Sequence, residues 1–381
     1  MTVRDSIGRL PGIWAAFLRL GCIAFGGPAA HLALLEDEFV SRRGWLSRQR
    51  FLDLMGATNL IPGPNSTEMT MHIGYERGGA LGLFSGGLGF VLPAAAITAV
   101  LASIYVKIGT LPSAEAFLQG VRPAVLVVIL GAVLKLGRKA AANAGLAVIA
   151  TGVALAVLAG IGEIPALLVG GIIGGLALLL PRALGAGMVV SLFMPGSAMA
   201  AEGQDASLGA LAQFFFKVGC VLYGSGYVLI AFLEGGLVQD YGWVTQQQLL
   251  DAIAVGQFTP GPVLTAATFL GYVIGGWSGA LVATAGIFLP GFGFVWMLNP
   301  LVRRLRTSRV SAAFLDAVNA AAVGLIAAVA IDLARVSLVS VPAWIFASCA
   351  AAALFLARLP AAWIIAGAGT VGLLSALAGL T

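Results

Sequence analysis

The sequence predicts an all-α polytopic membrane protein made of two inverted-topology repeats, each with about five spanning helices and a re-entrant hairpin broken by Pro-Gly-Pro. Three observations predict it. Of the 381 residues, 60% are apolar and 10% charged, whereas soluble domains carry about a quarter charged residues. Long apolar stretches recur along the whole chain, and the second half repeats the first at a nearly fixed offset.

The apolar stretches cover 11–35, 51–73, 79–106, 114–136, 144–161, 164–180, 209–233, 248–271, 276–300, 311–334, 341–357 and 360–380. Most reach the ~20 residues that a spanning helix needs. They are continuously apolar rather than alternating, which predicts helices and not a barrel. The net charge of +5 comes from Arg and Lys in short connecting segments; these read as positive-inside determinants and not as a nucleic-acid surface. Cys22, Cys220 and Cys349 lie inside apolar stretches without CxxC spacing and are read as packing residues, with no disulfide framework. The first stretch is not a signal peptide, because it has a counterpart at 209–233.

Aligning 21–64 with 219–262 gives 15 identities in 44 positions. They include Gly26 with Gly224, Glu36 with Glu234, Trp45 with Trp243, Asp53 with Asp251, and Pro62-Gly63-Pro64 with Pro260-Gly261-Pro262. After one deletion, Gly74-Tyr75 matches Gly271-Tyr272, and Phe117-Leu118 matches Phe314-Leu315. The expected organisation is a first repeat over 1–182, a linker over 183–208 and a second repeat over 209–381. Arg42, Arg43, Arg48 and Arg50 follow the first stretch of the first half, whereas Arg303, Arg304, Arg306 and Arg309 follow the third stretch of the second. By the positive-inside rule the halves are inverted. Inversion needs an odd number of crossings, so one of six stretches must turn back. The stretches holding Pro-Gly-Pro, 51–73 and 248–271, are the ones expected to do so.

Paired Gly/Pro-broken segments at matching positions of two halves point to a transporter's binding site. Pro62, Gly63 and Pro64 are followed by Asn65, Ser66, Thr67 and Glu68, an opening suited to a half-helix whose N-terminus favours an anion. Asn59 matches Gln257, and Thr259 precedes Pro260, Gly261 and Pro262. The alternative is a kinked, continuous helix. Arg19 falls opposite Lys217, and such a pair suits a dianion; the alternative is that each side chain snorkels to the interface. Gly26 and Gly27 mark a flexible or broken point beside the site. The paired acids Glu36, Glu234, Asp53 and Asp251 are read as coupling groups, as partners of the bases or, for the Asp pair, as helix caps. Glu68 joins the candidate coupling acids. His31 and His72 face Leu229 and Phe269 in the repeat, and no metal site, cofactor or catalytic residue is expected. Arg122, opposite Asn319, lines a path or snorkels. No P-loop, nucleophile elbow or HExxH is present.

At FGGPAAHLALLEDEFV, GWLSRQRFLDLMGATNLIPGP and GYERGGALG in the first half, and YGSGYVLIAFLEGGLV, GWVTQQQLLDAIAVGQFTPGP and GYVIGGWSGALV in the second, the chain resembles the chromate ion transporter family. The resemblance covers nearly the entire chain. It implies a two-domain, multi-pass inner-membrane exporter that takes chromate or a related oxyanion out of the cytoplasm and confers chromate resistance; a homodimer is compatible with it. Gly224-Ser225-Gly226 in place of a second GGP implies unequal contributions from the halves. The alternatives are a transporter of sulfate or another small oxyanion, and an intramembrane enzyme acting on a lipid-linked substrate.

Overall fold

The computed structural model describes residues 3–59, 61–109, 111–141, 143–179, 206–223, 226–299 and 309–379. Much of the expected linker, together with Gly224, Ser225, Arg303, Arg304 and Arg306, lies outside the described residues. The helices are α1 (Val3–Ile23), α2 (Pro28–Glu36), α3 (Arg48–Thr58), α4 (Asn65–Ile108), α5 (Pro112–Ala141), α6 (Ala144–Leu158), α7 (Glu163–Leu179), α8 (Leu208–Val221), α9 (Val228–Leu233), α10 (Gln246–Phe258), α11 (Ala266–Leu298), α12 (Arg309–Ser337), α13 (Val341–Phe355) and α14 (Ala361–Leu377). The first seven correspond in order to the last seven. Even the π-helical turns match, Asp37–Arg42 with Glu234–Asp240.

Two compact units form, and each takes chain from both sequence halves: Met1–Leu101, Ser207–Gly226 and Gly256–Ser311 in the first, and Ala102–Ala206, Tyr227–Val255 and Ala312–Thr381 in the second.

In the first unit, the stretches 11–35 and 209–233 are not single helices. α1 stops at Ile23, where Gly26 takes φ +105° and Pro28 lacks an N–H. α8 stops at Val221, and Leu222 leaves the helical region with ψ 89°. Their small residues lie directly on the neighbouring helix: a Cβ on Gly21 would stand 2.7 Å from Phe90 O, and one on Gly219 2.6 Å from Ile287 O. α4 and α11 each contain a reversal. Gly78 and Gly79 (φ −140° and +63°) and Gly275 and Gly276 (φ −135° and +60°) interrupt them with the same backbone geometry. The short arm before each reversal then packs back on the long arm after it. A Cβ on Gly82 would lie 2.1 Å from Gly74 O, and one on Gly279 2.1 Å from Gly271 O. Only glycine allows backbones to approach this closely. The rings of Phe17, Phe39 and Trp45 pack in sequence, tilted, with centroids 4.7 and 4.8 Å apart, and the guanidinium groups of Arg43 and Arg77 lie 5.3 and 5.2 Å from the Trp45 ring.

In the second unit, α13 and α14 pack on α5, and α6 packs on α7. A buried ion cluster ties α5 to α10. Arg122 donates from Nε and Nη2 to the two oxygens of Asp251 at 3.0 and 3.1 Å, and from Nη1 and Nη2 to Glu115 at 2.7 and 3.3 Å. Tyr105 Oη donates to Asp251 at 2.9 Å. Arg122 therefore does not snorkel, and together with Glu115, Gln119 and Gln247 it lines a cavity of the second unit. Its fork is filled by two carboxylates.

Four segments are long and apolar enough to cross a membrane: Asn65–Ile108, Pro112–Arg138, Val263–Met297 and Val310–Ser337. Five other described apolar helices have 10–17 residues, shorter than the uniform spans the hydropathy suggests. Leu81, Phe84, Leu88 and Leu92 on α4, and Trp277, Leu281 and Leu289 on α11, are exposed, as side chains facing lipid are. Cys22 and Cys349 are also on exposed faces and Cys220 is half-buried, so packing is not what places the first two.

Gly82→Ala should lower the melting temperature of the detergent-solubilised protein more than Gly79→Ala, where a Cβ meets no atom within 4 Å and only the positive φ costs about 1–2 kcal/mol. Asp251→Ala strips Arg122 of its buried partner and should cost about 3–5 kcal/mol, with much of that recovered when Arg122→Met is combined with Asp251→Leu; thermal unfolding of the three proteins checks this.

Candidate functional site

The two Pro-Gly-Pro loops lie buried within the first unit. Prolines carry no N–H, so each loop has a single main-chain donor, that of its glycine. Gly63 N–H donates to Leu222 O at 2.6 Å, and Gly261 N–H donates to Ala24 O at 2.7 Å. Leu222 and Ala24 are the residues at which α8 and α1 have just ended, so their carbonyls are available. Each loop is thus pinned to the broken first helix of the other repeat, by equivalent atoms on both sides. Both glycines need their left-handed backbone, with φ +143° and +92°. A Cβ on Gly63 would stand 2.3 Å from Glu68 Oε1, and one on Gly261 2.6 Å from the Ala94 methyl.

α3 and the short arm of α4 flank the first loop. Ser47 caps α3 by accepting from Arg50 N–H at 3.2 Å. Thr245 and Gln248 cap α10 reciprocally, at 2.9 and 3.1 Å. The capping role considered for Asp53 and Asp251 therefore belongs to the residues before each helix. After the loop, Thr67 and Glu68 N–H both donate to Pro64 O, at 2.8 and 3.0 Å. The N–H groups of Asn65 and Ser66 have no backbone acceptor among the described residues, which leaves the partial positive charge of the helix start facing the loop. The second loop opens instead on a 3-10 turn, Val263–Thr265.

His31, on α2, joins the two halves of this arrangement. It is buried edge-on against Phe90 at 5.6 Å, with Nε2 3.1 Å from Ala24 O and Nδ1 3.3 Å from Ser66 Oγ. A carbonyl can only accept, so Nε2 carries the proton and Nδ1 takes one from the Ser66 hydroxyl. Ser66 is consequently held by His31 and does not offer its O–H to the loop. Neither the sequence duplication nor any metal-ligand spacing singles out His31, since Leu229 stands at the matching position.

Several buried polar groups around the loops have no partner among the described residues: Thr67 Oγ1, both oxygens of Glu68, Thr98 Oγ1 and Gln257 Nε2. Thr98 lies one turn beyond Ala94, the residue packed on Gly261. Native interiors satisfy nearly all such groups, so their concentration beside two pinned loops and a helix N-terminus marks a place suited to a polar solute. Thr67 belongs to the helix opening that the sequence marks, whereas Thr98 has no signal in the sequence.

The other candidates lie elsewhere. Asn59 is exposed and accepts from Asn65 Nδ2 at 2.8 Å, and Thr259 donates to Gly256 O at 3.4 Å. Gly26 and Gly27 form the bend between α1 and α2. Arg19 and Lys217 are exposed on α1 and α8, opposite the buried faces of Phe17 and Leu20 and of Phe215 and Val218. They are not among the buried polar groups, because a helix presents its buried stripe and its bases on opposite sides. Asp53 accepts from Gln49 at 3.3 Å, and Glu36 pairs with Arg48 at 3.3 Å on the surface. Glu234 is fully buried in the second unit and accepts from Gln246. The duplicated acids therefore have unlike surroundings.

The chain is 34% identical over 346 residues to a chromate transport protein of Pseudomonas aeruginosa, covering 87% of this chain and 83% of that one. It is 31% identical over 367 residues to a chromate transport protein of Cupriavidus metallidurans, covering 94% and 91%, and 30% identical over 336 residues to a probable chromate transport protein of Synechococcus elongatus, covering 86% of each. No solved structure matches it. The family model for chromate transporters matches twice, over residues 12–179 and 209–373, once in each repeat. With that match across both halves, the chain belongs to the chromate transporter family.

Proposed function

We propose that this protein is a secondary transporter that exports chromate from the cytoplasm across the inner membrane and so confers chromate resistance. The observation that carries the reading is the reciprocal pinning of the two Pro-Gly-Pro loops, Gly63 to Leu222 and Gly261 to Ala24, with unpartnered donors beside them. The oxyanion is held there by the N–H groups of Asn65 and Ser66, the Thr67 and Thr98 hydroxyls and the Gln257 amide. Asn59 and Asn65 line the approach. Arg19 and Lys217 draw the anion in from the exposed faces of α1 and α8 and do not clamp it. The repeats lie inverted in the bilayer, as their arginine-bearing segments suggest, with each α3 and short-arm pair acting as a re-entrant hairpin.

Export needs no further energy source. A potential of 100 mV is worth about 2.3 kcal/mol per charge, so leaving a negative interior gains about 2.3 kcal/mol for an oxyanion crossing with net charge −1 and about 4.6 kcal/mol for a bare dianion. The relatives named above are transport proteins and not enzymes, which speaks against the lipid-linked enzyme reading.

Purified protein in vesicles should carry radiolabelled chromate at a rate that rises with an imposed potential, negative on the side of origin. Sulfate at a hundredfold excess, about 2.7 kcal/mol of mass action at equal affinity, distinguishes a chromate-selective carrier from a general tetrahedral-oxyanion carrier. Gln257→Leu removes a donor to a charged ligand and should weaken chromate binding about tenfold or more. Arg19→Gln and Lys217→Gln, acting through solvent-screened charge, should each change it by less than about threefold; equilibrium binding to the solubilised variants measures all three.

A further inference from the structure

We propose that Glu68 makes the oxyanion travel with one proton, held between its carboxyl group and the anion, so that a dianion crosses the membrane with a net charge of −1. This rests on the reading of the first unit's loops as the oxyanion site, and it assigns the coupling ion of that site.

Glu68 is wholly buried, and neither carboxyl oxygen has a hydrogen-bond partner among the described residues. Its position is not incidental to the loop. Oε1 lies against Gly63, so closely that a side chain there would overlap it. Gly63 is also the residue whose N–H pins the loop. Glu68 therefore stands in the first turn after Pro64, the same turn as Asn65, Ser66 and Thr67, with its carboxyl against Gly63.

The titratable groups around it are few. Tyr223, next to the Leu222 carbonyl that receives Gly63 N–H, lies close enough to feel its charge. His31 faces Ser66, and His72, one turn further along α4, has Nδ1 3.2 Å from Asn299 Oδ1. No Arg or Lys among the described residues pairs with Glu68.

A carboxylate here and an incoming dianion would compete for the same donors, with three negative charges in a space that holds no counter-ion. One proton resolves this in either of two equivalent ways. The neutral acid donates its O–H to an oxygen of the dianion, or the ionised acid accepts the O–H of an oxyanion that arrives protonated. The total is the same: one anion and one proton taken from one side and released together on the other. The second loop cannot duplicate the device, because Val263, Leu264, Thr265 and Ala266 follow its Pro-Gly-Pro.

The test uses the full-length protein and chromate. Above the pH at which Glu68 ionises in the empty site, binding of the chromate dianion to the wild type should weaken about tenfold per pH unit, the slope for one linked proton, whereas Glu68→Gln should bind with no such slope. In vesicles loaded with chromate and a pH-sensitive dye, efflux at clamped potential should remove one proton per anion from the lumen. Glu68→Asp, which keeps the acid, should retain the pH slope, which guards against a mere folding defect in Glu68→Gln. Wild-type flux without proton movement, or an unchanged slope in a folded Glu68→Gln protein, overturns this inference alone. Failure of the wild type to bind chromate at any pH overturns the reading of function and this inference with it.

Discussion

A main-chain N–H placed in a dry interior must find an acceptor, and in this protein that requirement ties the two repeats together. Each Pro-Gly-Pro loop has reduced its own need to one donor by using proline on both sides of the glycine. Its partner is the carbonyl released where the opposite repeat's first helix stops, at Leu222 or at Ala24. The break in α1 and the break in α8 are thus not defects in spanning helices. They expose the acceptors that allow irregular backbone to exist at depth. The glycines of α1 and α8, and those at the reversals of α4 and α11, serve the same end by letting the surrounding backbones close around the loops.

On this symmetric frame the side chains are arranged asymmetrically. The first repeat supplies His31, Ser66, Thr67 and Glu68. At the matching places the second repeat supplies Leu229 and the mainly apolar turn after Pro262, but contributes Gln257 from the helix before its loop. The acids behave alike in this respect: Asp251 and Glu234 are buried, while Asp53 and Glu36 are not. The two copies share a backbone solution but bury different polar side chains on it.

The membrane class, the helical architecture, the repeat and the importance of Pro-Gly-Pro were legible in the sequence because each leaves a local or periodic trace. The weak point at Gly26-Gly27-Pro28 was legible too, though hydropathy alone joins 11–35 into one stretch, since a short unwound segment between apolar residues does not alter the average. What could not be read was tertiary. Arg122 meets Asp251 across 129 positions of sequence, and no pattern along the chain signals that pairing. In the sequence His31 is weighed only as a metal ligand and set aside because it is not duplicated, since matched pairs favour symmetric residues. Arg19 and Lys217 show the converse: they match in sequence, and both lie on exposed helix faces.

The crossed loop anchors also bear on how the chain is made. When the first repeat leaves the ribosome, the acceptor for Gly63 does not yet exist, and the Ala24 carbonyl has no glycine to receive. The Gly63 loop can be anchored only once translation has passed Leu222, and the Gly261 loop only once Gly261 itself has been made, so the frame around both loops is completed late in synthesis.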